Sequence, residues 1–372
     1  MLLVFVPAAA AAELADVPAV GAFGLAALAI IPLAGLIGEA TEALAGRMGP
    51  GIGGLLNATF GNAAELIIAA FALFRGLDSV VKASITGSVI GNLLLVLGAS
   101  LLAGGIRYPV QRFNRTAAGS GTTLMVLAAV GLVIPAIFHD IVGPRERPAE
   151  HGLSLSVGVI LMAAYGLNLL FSLRTHRDHY NPAFEGPDDA PHEEVEEWGT
   201  RKSIVVLLVA TGLIAWMSEV LVGAVEEASR AVGMTEIFVG VVVVAVVGNA
   251  AEHSTAVLMA WKDHPDLAVG IAMGSALQIA LFVAPVLVFA SYLRPQPMDL
   301  VFSPMEVAAV LLAAMLARMV AEDGESNWLE GAMLLMIYAI LGTAFFFLPE
   351  TRPAPGAEGG PHPSAVAAPR SP

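Results

Sequence analysis

The sequence predicts an all-α membrane protein of about eleven transmembrane helices, arranged as two inverted-topology five-helix repeats behind a short N-terminal helix. Three observations carry this. First, 57% of the 372 residues are hydrophobic and only 13% are charged, with a mean hydropathy of +0.77; a soluble domain carries roughly 25% charged residues. Second, the apolar runs are about 20 residues long, the length of a helix that crosses a bilayer rather than of a barrel strand. Third, the pentapeptide Gly61-Asn62-Ala63-Ala64-Glu65 recurs unchanged as Gly248-Asn249-Ala250-Ala251-Glu252, 187 residues later. The same offset carries Gly87-Ser88 onto Gly274-Ser275, Ala69 onto Ala256, Arg75 onto Lys262 and Glu39 onto Glu226. One offset joining separate matches marks a duplication. An odd number of spans per copy forces the copies into opposite orientations, with their shared site near the midplane.

Taken in order, residues 1–16 hold a short N-terminal helix. It is too short for a comfortable span and lacks the basic start of a signal peptide, so it reads as a short or truncated first helix. The first repeat, 17–173, contains spans at 18–39, 52–74, 83–104, 116–138 and 153–173. The run Gly49-Pro50-Gly51-Ile52-Gly53-Gly54 is too glycine-rich for a smooth helix and predicts an unwound or kinked stretch just before the first pentapeptide. Residues 174–202 form an acidic linker, with seven acids from Glu185 to Glu197. It reads as a solvated loop or a cation-attracting one. The second repeat, 203–350, contains spans at 203–224, 236–260, 268–292, 304–321 and 328–348. The tail, 351–372, is Pro, Gly and Ala without apolar period and is expected to be disordered. With the N-terminus inside, inner loops hold ten Lys and Arg residues and outer loops six before the tail, which places the linker in the cytoplasm and the chain in a bacterial plasma (inner) membrane.

Several function classes drop out. The absence of cysteine excludes disulfides and thiolate metal sites. A net charge of −14 argues against a nucleic-acid partner. No His-Glu-x-x-His or paired Ser/His arrangement supports an enzyme.

The repeated motif carries the chemistry. A carboxylate within a bilayer costs about 3 kcal/mol on insertion scales, so intramembrane acids are functional by default. On a helix, Asn62 shares a face with Glu65, and Asn249 with Glu252. The following spans add Ser88 and Asn92 in one half and Ser275 and Gln278 in the other. These are all oxygen donors, the preference of a hard divalent cation such as Ca²⁺, whose two charges two carboxylates balance. Backbone carbonyls freed at a helix break could complete the shell. When the cation leaves, two adjacent carboxylates in a low-dielectric site are expected to take up protons, about two per ion. Ion and proton competing for Glu65 and Glu252 is all that exchange requires. His253 stands where the first repeat has Leu66, about 100° around the helix from Glu252; it reads either as an aid to proton transfer or as a structural histidine. Glu39, Glu226 and Glu219 are candidate vestibule acids, with helix-end acids as the alternative.

These motifs resemble a known family. Gly53-Gly-Leu-Leu-Asn57-Ala-Thr-Phe-Gly61-Asn-Ala-Ala-Glu65-Leu-Ile and Val247-Gly-Asn-Ala-Ala-Glu252-His253 are similar to the two repeat motifs of the Ca²⁺/H⁺ antiporters of the cation exchanger (CAX) family. Gly87-Ser-Val-Ile-Gly-Asn92 and Gly274-Ser-Ala-Leu-Gln-Ile-Ala-Leu-Phe-Val-Ala-Pro285 resemble the helices that follow. The resemblance implies the Ca²⁺/cation antiporter superfamily fold, with Glu65 and Glu252 as ion-binding acids and Asn62, Asn249 and His253 lining the site. It implies alternating access with a gating helix pair sliding against a core. Ca²⁺ is then transported cargo and no cofactor is expected; the partners are Ca²⁺, H⁺ and the bilayer, with room for a homo-oligomer. Two rivals remain: a Na⁺-driven exchanger, whose motifs usually carry Ser or Thr and Pro where this chain has Ala63-Ala64 and Ala250-Ala251, and a cation channel.

Overall fold

The structure is a computed structural model that describes residues 2–15, 17–142, 147–176 and 198–349. The acidic run Glu185–Glu197 and the tail 351–372 lie outside the described residues. What is described is helical, apart from one two-residue ladder. In chain order the helices are α1 (Phe5–Leu14), α2 (Ala19–Phe60), α3 (Ala63–Phe74), α4 (Asp78–Arg107), α5 (Arg115–Val142), α6 (Pro148–Thr175), α7 (Thr200–Val232), α8 (Glu236–Gly248), α9 (Ala250–Trp261), α10 (Pro265–Ser291), α11 (Pro304–Ala321) and α12 (Trp328–Phe347). Among the described residues eight helices are long and apolar enough to cross a membrane, and α8 with α9, bent by 61°, makes a ninth. Leu2–Leu14 and α3 are apolar but shorter.

Each predicted span falls on helix, but the two that carry the pentapeptides are not continuous. Helix geometry fails at the motif itself: Asn62 (φ −106°, ψ 31°) and Asn249 (φ −91°, ψ 7°) separate α2 from α3 and α8 from α9. The stretch before the first motif departs from a straight helix as well. Forty-two residues would extend about 63 Å, twice a hydrocarbon core. A Cβ built on Gly53 would overlap the Ala45 carbonyl and stand 2.9 Å from its carbon. In a straight helix eight residues span about 12 Å, so the chain turns back between them. In the second half the corresponding turn is capped. Gly233 adopts φ +73°, its N–H bonds the Arg230 carbonyl, and Met234 N–H bonds the Ser229 carbonyl, the pattern that ends helices on glycine. Thr235 then caps α8 through Phe238 N–H.

α4 and α10 are the buried centre; each contains a π-helical turn, Gly91–Val96 and Ile279–Val283. Such turns shift backbone carbonyls out of the ordinary ladder and gather at functional sites. Small residues permit close crossings, as is usual between helices in lipid: a Cβ on Gly98 would stand 2.9 Å from Leu334 Cβ. Loops pin α4 at both ends. At its start Arg294 bonds Asp78 at 2.6 Å and Lys82 bonds Asp299 at 2.5 Å. Beyond its end Gln111–Arg112 pairs antiparallel with Glu325–Ser326, and Arg112 meets Glu325 at 3.1 Å.

Candidate functional site

The two helix breaks face one another. Because α3 and α9 each begin at a motif asparagine, Glu65 and Glu252 fall in their first turns, where the positive end of a helix dipole favours negative charge. Glu65 is 5% exposed. It packs against the other copy of the motif: a Cβ on Gly248 would stand 3.1 Å from Glu65 Cγ. Gly61 faces Gln278 Oε1 in the same way, at 3.5 Å. The carboxylates are near enough to repel when both are charged.

A polar network closes the site across the two halves. Asn62 Nδ2 donates to Gln278 Oε1. Ser275 Oγ donates to Asn62 Oδ1 at 3.0 Å and also lies 3.3 Å from Asn249 Oδ1. Asn92 Nδ2 donates to Ser275 Oγ at 2.9 Å and to Asn249 Oδ1 at 3.0 Å. Asn249 Nδ2 donates to Ser88 Oγ at 3.0 Å and to the Ala245 carbonyl at 2.8 Å. Six of the residues singled out in the sequence, Asn62, Ser88, Asn92, Asn249, Ser275 and Gln278, thus meet in one cluster with Glu65 and Glu252.

The cluster is short of donors. Both oxygens of Glu65, Oε2 of Glu252 and Oδ1 of Asn92 are buried without a hydrogen-bond partner among the described residues. An unpaired buried acceptor costs about 1–3 kcal/mol, more if charged. Four unpaired acceptor oxygens on these residues favour positive charge, as a proton on a carboxylate or a hard cation would bring.

His253 does not join the network. It lines a cavity of about 570 Å³ with Ala250, Ser254, Val257, Leu258 and Trp261, one stripe of α9. Glu39, Glu219 and Glu226 are exposed and lie outside the cluster. Glu219 pairs with Arg75 at 3.5 Å and Glu226 with Arg230 at 3.0 Å. Two buried acids escaped the sequence reading: Glu150, 5% exposed and 2.8 Å from His139 Nδ1, and Glu306. Glu306 is 4% exposed, closes a capping box with Ser303 at the start of α11 and accepts from Thr86 Oγ1 at 3.4 Å. The spacing Ser303-x-x-Glu306 was the available signal.

A bundle of apolar helices, interrupted at two identical motifs whose acids lie close together, defines a polytopic membrane protein. The sodium/calcium exchanger protein family model matches residues 18–174 and 202–347, and the chain belongs to that family. It is 46% identical over 312 residues to a Ca²⁺/H⁺ antiporter of Aphanothece halophytica, covering 81% of this chain and 83% of that one. It is 46% identical over 301 residues to the Ca²⁺/H⁺ antiporter ChaA of Bacillus subtilis, covering 81% and 84%. The solved structure of native YfkE aligns with a TM-score of 0.81 at 40% identity, covering 94% of this chain and all of that one. The resemblance to cation exchangers read from the motifs therefore holds.

Proposed function

We propose that this protein is a secondary antiporter that exchanges Ca²⁺ for H⁺ across a membrane by alternating access. The observation that carries the reading is the pair of duplicated-motif acids, Glu65, buried with both oxygens unpaired, and Glu252, part-exposed with its Oε2 buried and unpaired. Relatives 46% identical are Ca²⁺/H⁺ antiporters, which supports the same exchange here and disfavours the Na⁺-driven and channel alternatives.

The mechanism follows from charge balance. With Ca²⁺ bound, two carboxylates neutralise the ion, and the carbonyl oxygens of Asn62, Asn249, Asn92 and Gln278 with the hydroxyls of Ser88 and Ser275 contribute further oxygen ligands. In the described arrangement the oxygens of Asn62, Asn249 and Gln278 accept hydrogen bonds within the cluster while Asn92 Oδ1 does not, so ion binding turns the first three towards the ion. When the ion leaves, protons occupy Glu65 and Glu252, and the site crosses the low-dielectric interior without net charge in either form. His253, about 100° from Glu252 on α9, serves proton entry along its cavity. Glu39, Glu219 and Glu226 draw cations to the two mouths. The arrangement that serves this cycle is eleven helices: a short first helix (1–16), inverted repeats 17–173 and 203–350, and between them a cytoplasmic linker 174–202, in a bacterial inner membrane and with the tail 351–372 outside the exchange unit. α2 packs along α7, as a pair that moves together against the remaining core.

The test is ⁴⁵Ca uptake into vesicles under an imposed pH gradient, for the parent chain, Glu65→Gln and Glu252→Gln. Uptake in the parent that follows the proton gradient and is lost in both variants supports the reading. Uptake that follows a Na⁺ gradient moves it to the rival exchanger.

A further inference from the structure

The offset of 187 that joins the two motifs also joins two arginines. Arg107 ends α4, and its counterpart, Arg294, lies just past the end of α10. Arg294 is neutralised within the chain. Its Nη1 donates to Asp78 Oδ1 at 2.6 Å and its Nη2 to Oδ2 at 3.4 Å, a fork closed on the first residue of α4. At the start of α10 the counterpart of Asp78 is Pro265. Asp266 follows, but it accepts from Asn114 N–H. Arg107 therefore makes no ion pair among the described residues. Its guanidinium is nevertheless held in place. Nη1 donates to the Trp261 carbonyl at 3.3 Å, and the central carbon stands 5.5 Å from the Tyr108 ring centre and 5.6 Å from that of Trp261. Contacts of this kind fix the plane of an arginine and leave its donor edge free. The surroundings are those of a membrane surface. Ile106, Trp261 and Trp328 are exposed, and Trp328 is seated on Gly105. Aromatic side chains of spanning helices gather at the level of the headgroups.

We propose that Arg107, on its platform of Tyr108 and Trp261, binds the phosphate of an anionic phospholipid, which takes the part that Asp78 plays for Arg294. The duplicated position shows what such an arginine accepts: a forked anion at the end of the neighbouring span. Where Pro265 removes that anion from the chain, the membrane supplies one. A lipid phosphate fits better than a free one, because its chains can lie against the exposed apolar and aromatic side chains beside the arginine, and anionic headgroups attract each nearby cation. The headgroup rests on α4 and α9 together. α9 carries Glu252 in its first turn and ends at Trp261, so the lipid fastens the far end of the helix that holds one of the two acids.

The experiment takes the full-length chain, delipidated in a neutral detergent, and follows its melting temperature as phosphatidylglycerol, phosphatidylcholine or inorganic phosphate is added. Phosphatidylglycerol raises the melting temperature by about 2–4 °C; phosphatidylcholine raises it less and inorganic phosphate leaves it unchanged. Arg107→Gln abolishes the phosphatidylglycerol shift. Arg112→Gln, which breaks only an exposed pair with Glu325, keeps it. Pro265→Asp offers Arg107 the internal carboxylate that Arg294 already has, and diminishes the shift. A shift that persists in Arg107→Gln, or that phosphatidylcholine matches, overturns the proposal. A shift that inorganic phosphate matches at the same concentration makes the occupant a free anion and overturns the lipid assignment. If Arg107→Gln does not fold, Pro265→Asp decides: a diminished shift supports the proposal and an undiminished one overturns it.

Discussion

The same five residues begin α3 and α9, yet the chain reaches them by two different routes. In the second half α7 stops on a left-handed glycine, a capped turn follows and α8 leads to Asn249. In the first half Gly53 comes back against the Ala45 carbonyl before the chain reaches Asn62. Downstream, Gly87 of α4 lies against the Val241 backbone, whereas a Cβ on Gly274 of α10 meets nothing within 4 Å among the described residues. The motif chemistry is shared, so the difference is one of conformation. A duplicated sequence caught in two conformations displays, within one molecule, two settings of a single unit.

That comparison can be broken or sharpened. The largest effect falls on the shared chemistry: Glu65→Gln and Glu252→Gln each reduce proton-driven ⁴⁵Ca uptake by about 100-fold or more, since either leaves a divalent ion facing one carboxylate. Unequal losses would show that the two acids, although duplicated, are not interchangeable. Next come the glycines on the two crossings. Gly87→Ala places a methyl against the Val241 backbone and costs about 3 kcal/mol, whereas Gly274→Ala leaves melting temperature near that of the parent; thermal unfolding in detergent measures both. Equal effects would mean that the crossings are alike after all.

A smaller effect belongs to the pinned end of α4. Burial raises the Asp299 carboxyl, but the Lys82 ammonium beside it outweighs this, and the group ends below its ordinary value of 3.8. A carboxyl depressed on folding stabilises the protein above its unfolded-state value, and that contribution is lost as pH falls through the depressed one. Asp299→Asn therefore lowers stability by about 2 kcal/mol at neutral pH, with the gap to the parent closing below about pH 4 in acid melts. The smallest effect concerns the two turns. Gly233→Ala costs about 1 kcal/mol because a Cβ is strained at φ +73°. Gly46→Ala, at the corresponding place, costs nothing measurable in the same melts.

Much of this was legible beforehand. The offset of 187 joined Ser88, Ser275, Asn62 and Asn249 before any geometry was known, and all four meet in one hydrogen-bonded cluster. The helical angle between Glu252 and His253 foretold that they face different surroundings. The site of the helix break was harder to read. Glycine and proline at 49–54 drew attention upstream, while the backbone fails at Asn62 and Asn249, just after single glycines inside strongly apolar runs. Glu306 was missed because its capping box looks like any helix start; its burial comes from Thr86, far away in sequence. The different surroundings of Gly87 and Gly274 among the described residues could not be read at all, because Gly87-Ser88 and Gly274-Ser275 are the same letters.

The pinned ends of α4 have a mechanical consequence. A strut clamped at both tips, by Arg294 and Lys82 at one and the short ladder at the other, resists tilting. Displacement inside the molecule must then be borne by elements other than α4. The clamped strut is thus the bearing against which other helices would have to shift.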